Sequence, residues 1–410
     1  MTKLRFFFAA MLLLALPVWV IAQDDDDSDM DEMMDEPVLG FWDECPTPEN
    51  LSGDVELGVI FGLSGPISVY GGPQSNAVQL AVDEINAQGY LGDATLMPLF
   101  EDAQGDAEQA INAMTKLVEE DEVVGVIGPT LSSQAFAADP VAQENGTPVM
   151  GVSNTAVGIT EMGDFVFRNS LPESAVIPGT VAQAVEALGI ERVGVMYGDD
   201  DDFTLSGYDV FVEALEANDV EIMGEETFAV GDVDYFAQLT NLINEDIDAL
   251  VVSALAAEAT QIIIQARENG YDGTIIGGNG FNSPAVLENA GEDAEGVIVG
   301  AAWNNAAADQ TLSSELFIQN FEDAYGFLPD QFAAQAYTGA WLFATAIRCA
   351  DSTDRADIRD ALAGIEDFDS PLGTFSFAED RNPIHDPVAQ IVVDGAFVPL
   401  AVAMEAMMDE

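Results

Sequence analysis

Residues 123–155 read VVGVIGPTLSSQAFAADPVAQENGTPVMGVSNT. An apolar, β-branched run (Val123, Val124, Val126, Ile127) breaks at Gly128-Pro129. Ser132 and Ser133 follow, then an alanine-rich segment to Asn145-Gly146, then a second apolar run ending in Ser153-Asn154-Thr155. The pattern predicts a buried strand, a serine-led helix stopped at Asn-Gly, and another buried strand. Strands separated by helices form right-handed βαβ crossovers and hence a parallel sheet. In such sheets ligands bind beyond the carboxyl ends of the strands. Ser132 lies just past one such end and opens a helix, whose free N–H groups and positive dipole end favour an anion. Ordinary N-capping explains Ser132 taken alone. The second hydroxyl cluster, Ser153 and Thr155 at the neighbouring strand end, favours a shared grip on one carboxylate or other polar oxygen.

Working outward, the alternation extends in both directions. Toward the N-terminus, VELGVIFGL is a strand and QSNAVQLAVDEINAQG a helix with Ala77, Leu80, Ala81 and Ile85 at helical spacing, ending on Gly89. ATLMPLFED is a strand whose Pro98 suits an edge or a bulge, and DAEQAINAMTKLVEED is a helix capped by Asp106. Toward the C-terminus the pattern restarts with ERVGVMYGD and continues through TIIGGNG. Two successive βα series argue for two similar α/β lobes, since one core rarely grows beyond about 250–300 residues. A third part follows: the strand GVIVGAAW, two helices, and short closing strands in GTFSFAED and VAQIVVDGAFVPL.

The ends read differently. Lys3 and Arg5 precede an apolar run from Phe6 to Ala22, and Val20-Ile21-Ala22 fits a secretory cleavage site. Residues 1–22 are therefore expected to be a signal peptide, and the protein to be periplasmic or extracellular. Residues 23–53 open on QDDDDSDMDEMMDEP, which cannot bury a core and is expected to be an acidic disordered tether. Asp25, Asp27 and Asp29 alternate as in a calcium loop, but no glycine or distal glutamate completes it. Residues 401–410 are expected to be a frayed acidic tail.

The chain carries 74 acidic against 10 basic residues, for a net charge of −64. That balance excludes a nucleic-acid binder, because phosphates would be repelled. It suits a saline habitat, where screening mutes self-repulsion, and disfavours anionic ligands. Two cysteines, Cys45 and Cys349, can pair in an oxidising compartment. A single histidine, His385, in the turn-rich DRNPIHDP, cannot complete a zinc site. The chain has no G-x-S-x-G elbow, no dinucleotide fingerprint and no phosphate-binding loop ending in lysine. An enzyme is not expected, and nothing calls for a cofactor or a metal.

Taken together, GLSGPISVYGGPQSNAVQLAVDEINAQG, the 123–155 stretch, FVFRNS, RVGVMYGDDD, IIIQARENGYDGTIIGG and AGEDAEGVIV resemble the extracytoplasmic solute-binding proteins of branched-chain amino acid ABC importers. The resemblance spans nearly all of 54–400. It implies the type I periplasmic binding fold: two Rossmann-like lobes of parallel sheet flanked by helices, joined by three crossing segments, with a ligand clamped between them. Lobe one would hold 54–171 and 302–371, and lobe two 172–301 and 372–400. Ser132, with Ser133 beside it, would grip the ligand carboxylate. Ser153 and Thr155 would hold carboxylate and amine. Tyr70 and Phe332 would wall the side-chain pocket. With both cysteines then in lobe one, a Cys45–Cys349 bond would tie the N-terminal arm down.

Two departures bear on the ligand. Phe203 stands where the family commonly has a tyrosine from lobe two, and Asn279 where amino-acid binders commonly place a glutamate for the ammonium. An amide accepts a hydrogen bond but neutralises no charge, and a buried, unpaired ammonium is costly. Either another acid serves, with Asp202 or Glu258 near by position, or the ligand lacks an ammonium. The expected function is capture of a small polar or zwitterionic ligand (a branched-chain amino acid, a related amino acid or an amide) by a monomer and its delivery to a membrane ABC permease. With Asn279 and Phe203 in these places, leucine, isoleucine and valine are expected to bind weakly. The alternative is a sensory or receptor-type module for a small amide, urea-like compound or organic acid.

Overall fold

The computed structural model describes residues 45–307 and 311–408. The expected signal peptide and the tether up to residue 44 lie outside these. A first sheet is wholly parallel in the order β2-β1-β3-β4-β5, from β1 (Ser52–Phe61), β2 (Asp93–Asp102), β3 (Val126–Ile127), β4 (Val149–Gly151) and β5 (Val166–Arg168). β2 is the edge strand, where Pro98 removes no ladder hydrogen bond that a further strand would need. The second sheet runs β15-β14-β10-β9-β8-β6-β7. It contains β6 (Arg192–Gly198), β7 (Glu221–Phe228), β8 (Ala249–Ser253), β9 (Thr274–Gly277) and β10 (Ile298–Ala301), all parallel. β14 (Val388–Val393) and β15 (Ala396–Pro399) extend it antiparallel. β11 (Phe368–Ser370), β12 (Gly373–Phe377) and β13 (Pro383–Ile384) form a small third sheet. The strands at the centres of both large sheets are buried on both faces, as parallel strands covered by helices must be.

Helix Gln331–Ala350 is the pillar of the first lobe. Every residue from Gln331 to Ile347 is buried, and Tyr337, Trp341 and Phe343 join β1, β4 and β5 in one core. Helix Ser68–Ala87 packs along it and starts six residues before the expected QSNAVQ. Gly71, in its first turn, serves close packing. A Cβ on it would lie 2.1 Å from the Gly62 carbonyl oxygen, so the helix approaches the β1 loop only because the side chain is missing.

Three boundaries move. The arm 45–51, assigned to the tether, is ordered: Leu51 is buried, and Asn50 bonds Asp351 through both its N–H (2.9 Å) and its amide (2.6 Å). Cys45 and Cys349 are joined, with Cα atoms 5.0 Å apart, and Arg348 Nε donates to the Cys45 carbonyl at 2.8 Å. Residues 372–384, assigned to lobe two, pack on lobe one instead. Phe375 and Phe377 enter its core, and Arg381 donates to the Val166 and Thr160 carbonyls. The third crossing therefore comes only between β13 and β14. His385 sits in it rather than on a surface turn, and burial pushes its imidazole down to about 4. The expected tail is helix Leu400–Met408, seated through Leu400 and Ala403 on the second lobe's core.

Candidate ligand-binding site

The carboxyl ends of both sheets face one cleft. On the first wall, β3 ends at Ile127 and the chain turns through Gly128 with φ +105°, where a Cβ would fall 2.1 Å from the Ile60 carbonyl oxygen. Thr130 follows and anchors a buried ring of polar side chains. Its Oγ1 donates to Gln74 Oε1 (3.0 Å), Gln74 Nε2 donates to Ser153 Oγ (2.9 Å), and Ser153 Oγ donates to the Thr130 carbonyl (2.6 Å). Thr130 Oγ1 also accepts the Gly62 N–H at 3.1 Å. Ser153 thus spends its hydroxyl hydrogen on the scaffold, and Gln74, unremarked in the sequence, holds it there.

Ser132 begins helix Ser132–Glu144 but does not cap it. Gln134 Oε1 takes the N–H of Leu131 at 3.1 Å. Ser132 Oγ accepts the N–H groups of Thr155 (3.2 Å) and Ala156 (3.3 Å), binding the two strand-end loops together. A hydroxyl has two lone pairs and one hydrogen. Both lone pairs are taken, so Ser132 keeps its O–H as a donor toward the cavity it lines. Ser133 points elsewhere. It bonds Asp201 on the opposite lobe and lies outside the cavity, which corrects its expected place beside the carboxylate. Thr155 also stands behind the lining, its Oγ1 buried without a hydrogen-bond partner in the protein.

The cavity itself is narrow, about 20 Å³, and is walled by Tyr70, Ser132, Ser153, Phe203, Asn279 and Phe332 among others. Tyr70 and Phe332 pack with ring centroids 4.7 Å apart. The Tyr70 hydroxyl spans the cleft: it donates to the Gly280 carbonyl (2.7 Å) and accepts the Ala256 N–H (2.6 Å), which opens helix Ala256–Glu268. Burial raises its pKa far above the ordinary phenol range, so it remains a donor. Val157 N–H to Ser206 Oγ, at 3.0 Å, also joins the lobes.

The second wall carries acids. Asp202 is exposed and takes no part in the cavity. Asp201 is buried instead. It caps helix Asp202–Ala217 by accepting from Phe203 (3.0 Å) and Thr204 (3.2 Å) N–H groups, and burial raises its carboxyl. Glu258 is buried but lines a neighbouring compartment. The acid nearest Asn279 is one the sequence reading passed over. Glu173 begins helix Glu173–Leu188, is 2 % exposed, and accepts the Asn279 N–H at 3.2 Å through Oε1. Its own N–H donates to the Thr155 carbonyl at 3.0 Å. Oε2 has no partner in the protein, nor has Ser253 Oγ beside it. A Cβ on Gly207 would lie 2.5 Å from the first and 2.4 Å from the second, so this glycine keeps their slot open. Burial pushes the Glu173 carboxyl up to about 8, with Asp201 adding repulsion and the Asn279 N–H opposing the rise. The Asn279 carboxamide is occupied, its Oδ1 accepting from Gln331 Nε2 and, at 3.4 Å, from Asn282.

This arrangement offers hydrogen-bond donors on one wall and buried carboxylates on the other. Among the described residues, no group of histidine, cysteine, aspartate and glutamate side chains could hold a metal ion, and no helix is long and apolar enough to cross a membrane.

Comparison with known proteins agrees with the geometry. Residues 54–396 match the family described as periplasmic binding protein. The Leu/Ile/Val-binding protein BraC3 of Rhizobium johnstonii is 27% identical over 330 residues, covering 80% of this chain and 88% of that protein. Among solved structures, the branched-chain amino acid transporter substrate-binding protein LivJ of Streptococcus pneumoniae, in complex with isoleucine, superposes with TM-score 0.79 at 29% identity, over 84% of this chain and 97% of that one. The leucine-binding protein LivK of Thermotoga maritima gives TM-score 0.80 at 25% identity over the same shares of the two chains.

Proposed function

Because the chain belongs to the periplasmic binding protein family, we propose that it captures an α-amino acid of the leucine, isoleucine and valine class between its lobes and delivers it to an ABC permease outside the cytoplasm. One observation carries the choice of a zwitterion. The two walls make opposite demands: Ser132 has a hydroxyl hydrogen to give at a helix N-terminus, and Glu173 has a buried carboxylate oxygen with nothing to accept. A carboxylate answers the first. An ammonium, with three donors, answers the second along with Ser253 Oγ beside it. Glu173 thereby takes the place of the acid missing at Asn279, and Asp202 is not needed. Tyr70, Phe203 and Phe332 supply apolar walls for an aliphatic side chain.

The test is calorimetric titration with leucine, 4-methylpentanoate (leucine without its ammonium) and leucinamide (leucine without its carboxylate). Leucine should bind at least about a hundredfold tighter than either, since each analogue leaves one buried polar wall unpaired. Equal binding of 4-methylpentanoate would overturn the zwitterion reading and favour an organic acid.

A further inference from the structure

Past Tyr70 the cleft opens into a second compartment of about 840 Å³, which shares Tyr70, Leu131 and Leu255 with the narrow cavity. Ile67, Leu131, Val230 and Val233 give it apolar walls. Its charged lining residues are Asp232 and Glu258, both acidic, and no base lines it among the described residues. Glu258 is 4 % exposed. Its Oε1 accepts the Gly231 N–H at 2.8 Å and so fastens the Ala229–Asp232 turn, while Oε2 has no hydrogen-bond partner in the protein. A glutamate in the first turn of a helix often serves only the helix dipole. Here one oxygen does structural work and the other is buried without a partner, in a side chain that lines a compartment with room for several ligand atoms. Asp200 and Asp201 add like charge beside it. Burying a carboxylate this way is unfavourable unless a cation or a donor reaches it.

Resting on the amino-acid reading of the narrow cavity, we infer that the second compartment receives the cationic end of a basic amino acid, its alkyl chain passing Tyr70 and its terminal ammonium or guanidinium meeting Glu258. The protein then accepts lysine-type ligands as well as branched-chain ones.

The experiment compares lysine with norleucine, which keeps the four-carbon side chain and lacks the terminal ammonium, on the wild type and on Glu258→Gln. Glutamine retains an oxygen for the Gly231 N–H and removes the charge. The wild type should bind lysine roughly tenfold to a hundredfold tighter than norleucine, the range of one charge-assisted hydrogen bond. In Glu258→Gln that preference should vanish or invert. Wild type favouring norleucine, a lysine-to-norleucine ratio unchanged in the variant, or binding of leucine but of neither longer ligand would each overturn the inference. Failure of leucine itself to bind would strike the amino-acid reading instead.

Discussion

The two walls of the cleft solve the same problem in opposite ways. The first wall is neutral and nearly finished: Gln74, Thr130 and Ser153 close a ring of hydrogen bonds of 2.6–3.0 Å, Ser132 Oγ accepts two N–H groups at 3.2 and 3.3 Å, and the donor left on the cavity lining is the Ser132 hydroxyl. The second is acidic and unfinished: Glu173, Asp201 and Glu258 are buried, each with a carboxyl whose pKa burial raises, so that ionisation waits for a partner. A neutral hydrogen-bonded wall costs little to close upon. A wall of desolvated carboxyls resists closure until a cation arrives. On the proposed function, the ligand's ammonium decides closure and its carboxylate decides orientation.

The sharpest way to break this contrast is Glu173→Gln. Losing one partner of a buried charge pair costs about 3–5 kcal/mol, so leucine affinity should fall by roughly a hundredfold to a few thousandfold in calorimetry. Affinity within threefold of wild type would move the ammonium to another acid. Ser132→Ala comes next. A hydrogen bond to a charged group is worth about 1.5–3 kcal/mol, giving roughly tenfold to a few hundredfold weaker binding. Because Ser132 also ties two loops, melting temperature should be recorded in parallel: a lower melting point with unchanged affinity would make it purely structural. Tyr70→Phe keeps the ring against Phe332 but deletes both bonds across the cleft. About tenfold weaker binding is expected, together with a larger radius of gyration by small-angle scattering at subsaturating leucine. An unchanged scattering profile would show that the hydroxyl does not hold the lobes together.

The smallest effect is in pH. Glu173 holds its proton in the closed protein up to about pH 8, whereas an unfolded glutamate loses it near pH 4.5. The folded state then binds more protons than the unfolded one across that window. Its stability must fall as pH rises from about 4.5 to 8. Ligand-free Glu173→Gln lacks this contribution, so its melting point should exceed the wild type's by a few degrees at pH 8 and by less at pH 5. The same gap at both pH values would mean that Glu173 titrates normally.

The walls also differ in how far they could be read. Ser132, Ser153 and Thr155 announce themselves because each follows an apolar run that ends at glycine or proline, so strand ends and hydroxyls are local facts of 123–155. Tyr70 and Phe332 came from the family resemblance, and both line the cavity. Glu173 is hidden twice. In a chain with 74 acidic residues one more draws no notice, and LPESAVIPGT looks like a proline-broken loop although it opens a sixteen-residue helix with Pro178 inside its first turns. Pro172, at that helix's N-cap, sits where proline costs least, whereas Pro178 lies inside the helix and removes one of its hydrogen bonds. Ser133 and Asp202 were misplaced for a third reason. Neighbouring residues at a helix start point in different directions, and adjacency in sequence does not choose between Ser132 and Ser133, or between Asp201 and Asp202. The alternation of strands and helices was legible almost throughout. The return of 372–384 to the first lobe was not, because aromatic packing of Phe375 and Phe377 decides it, not any local pattern.

The link between Cys45 and Cys349 has a mechanical side. A pull on the segment before Cys45 does not peel β1 from its neighbours one hydrogen bond at a time. It passes through the covalent bridge, assisted by Arg348 on the Cys45 carbonyl and Asp351 on Asn50, into the end of helix Gln331–Ala350. That helix is buried along most of its length in the first lobe, so the load spreads over an entire core. A force applied at Cys45 is therefore borne by the first lobe as a whole and not by β1 alone.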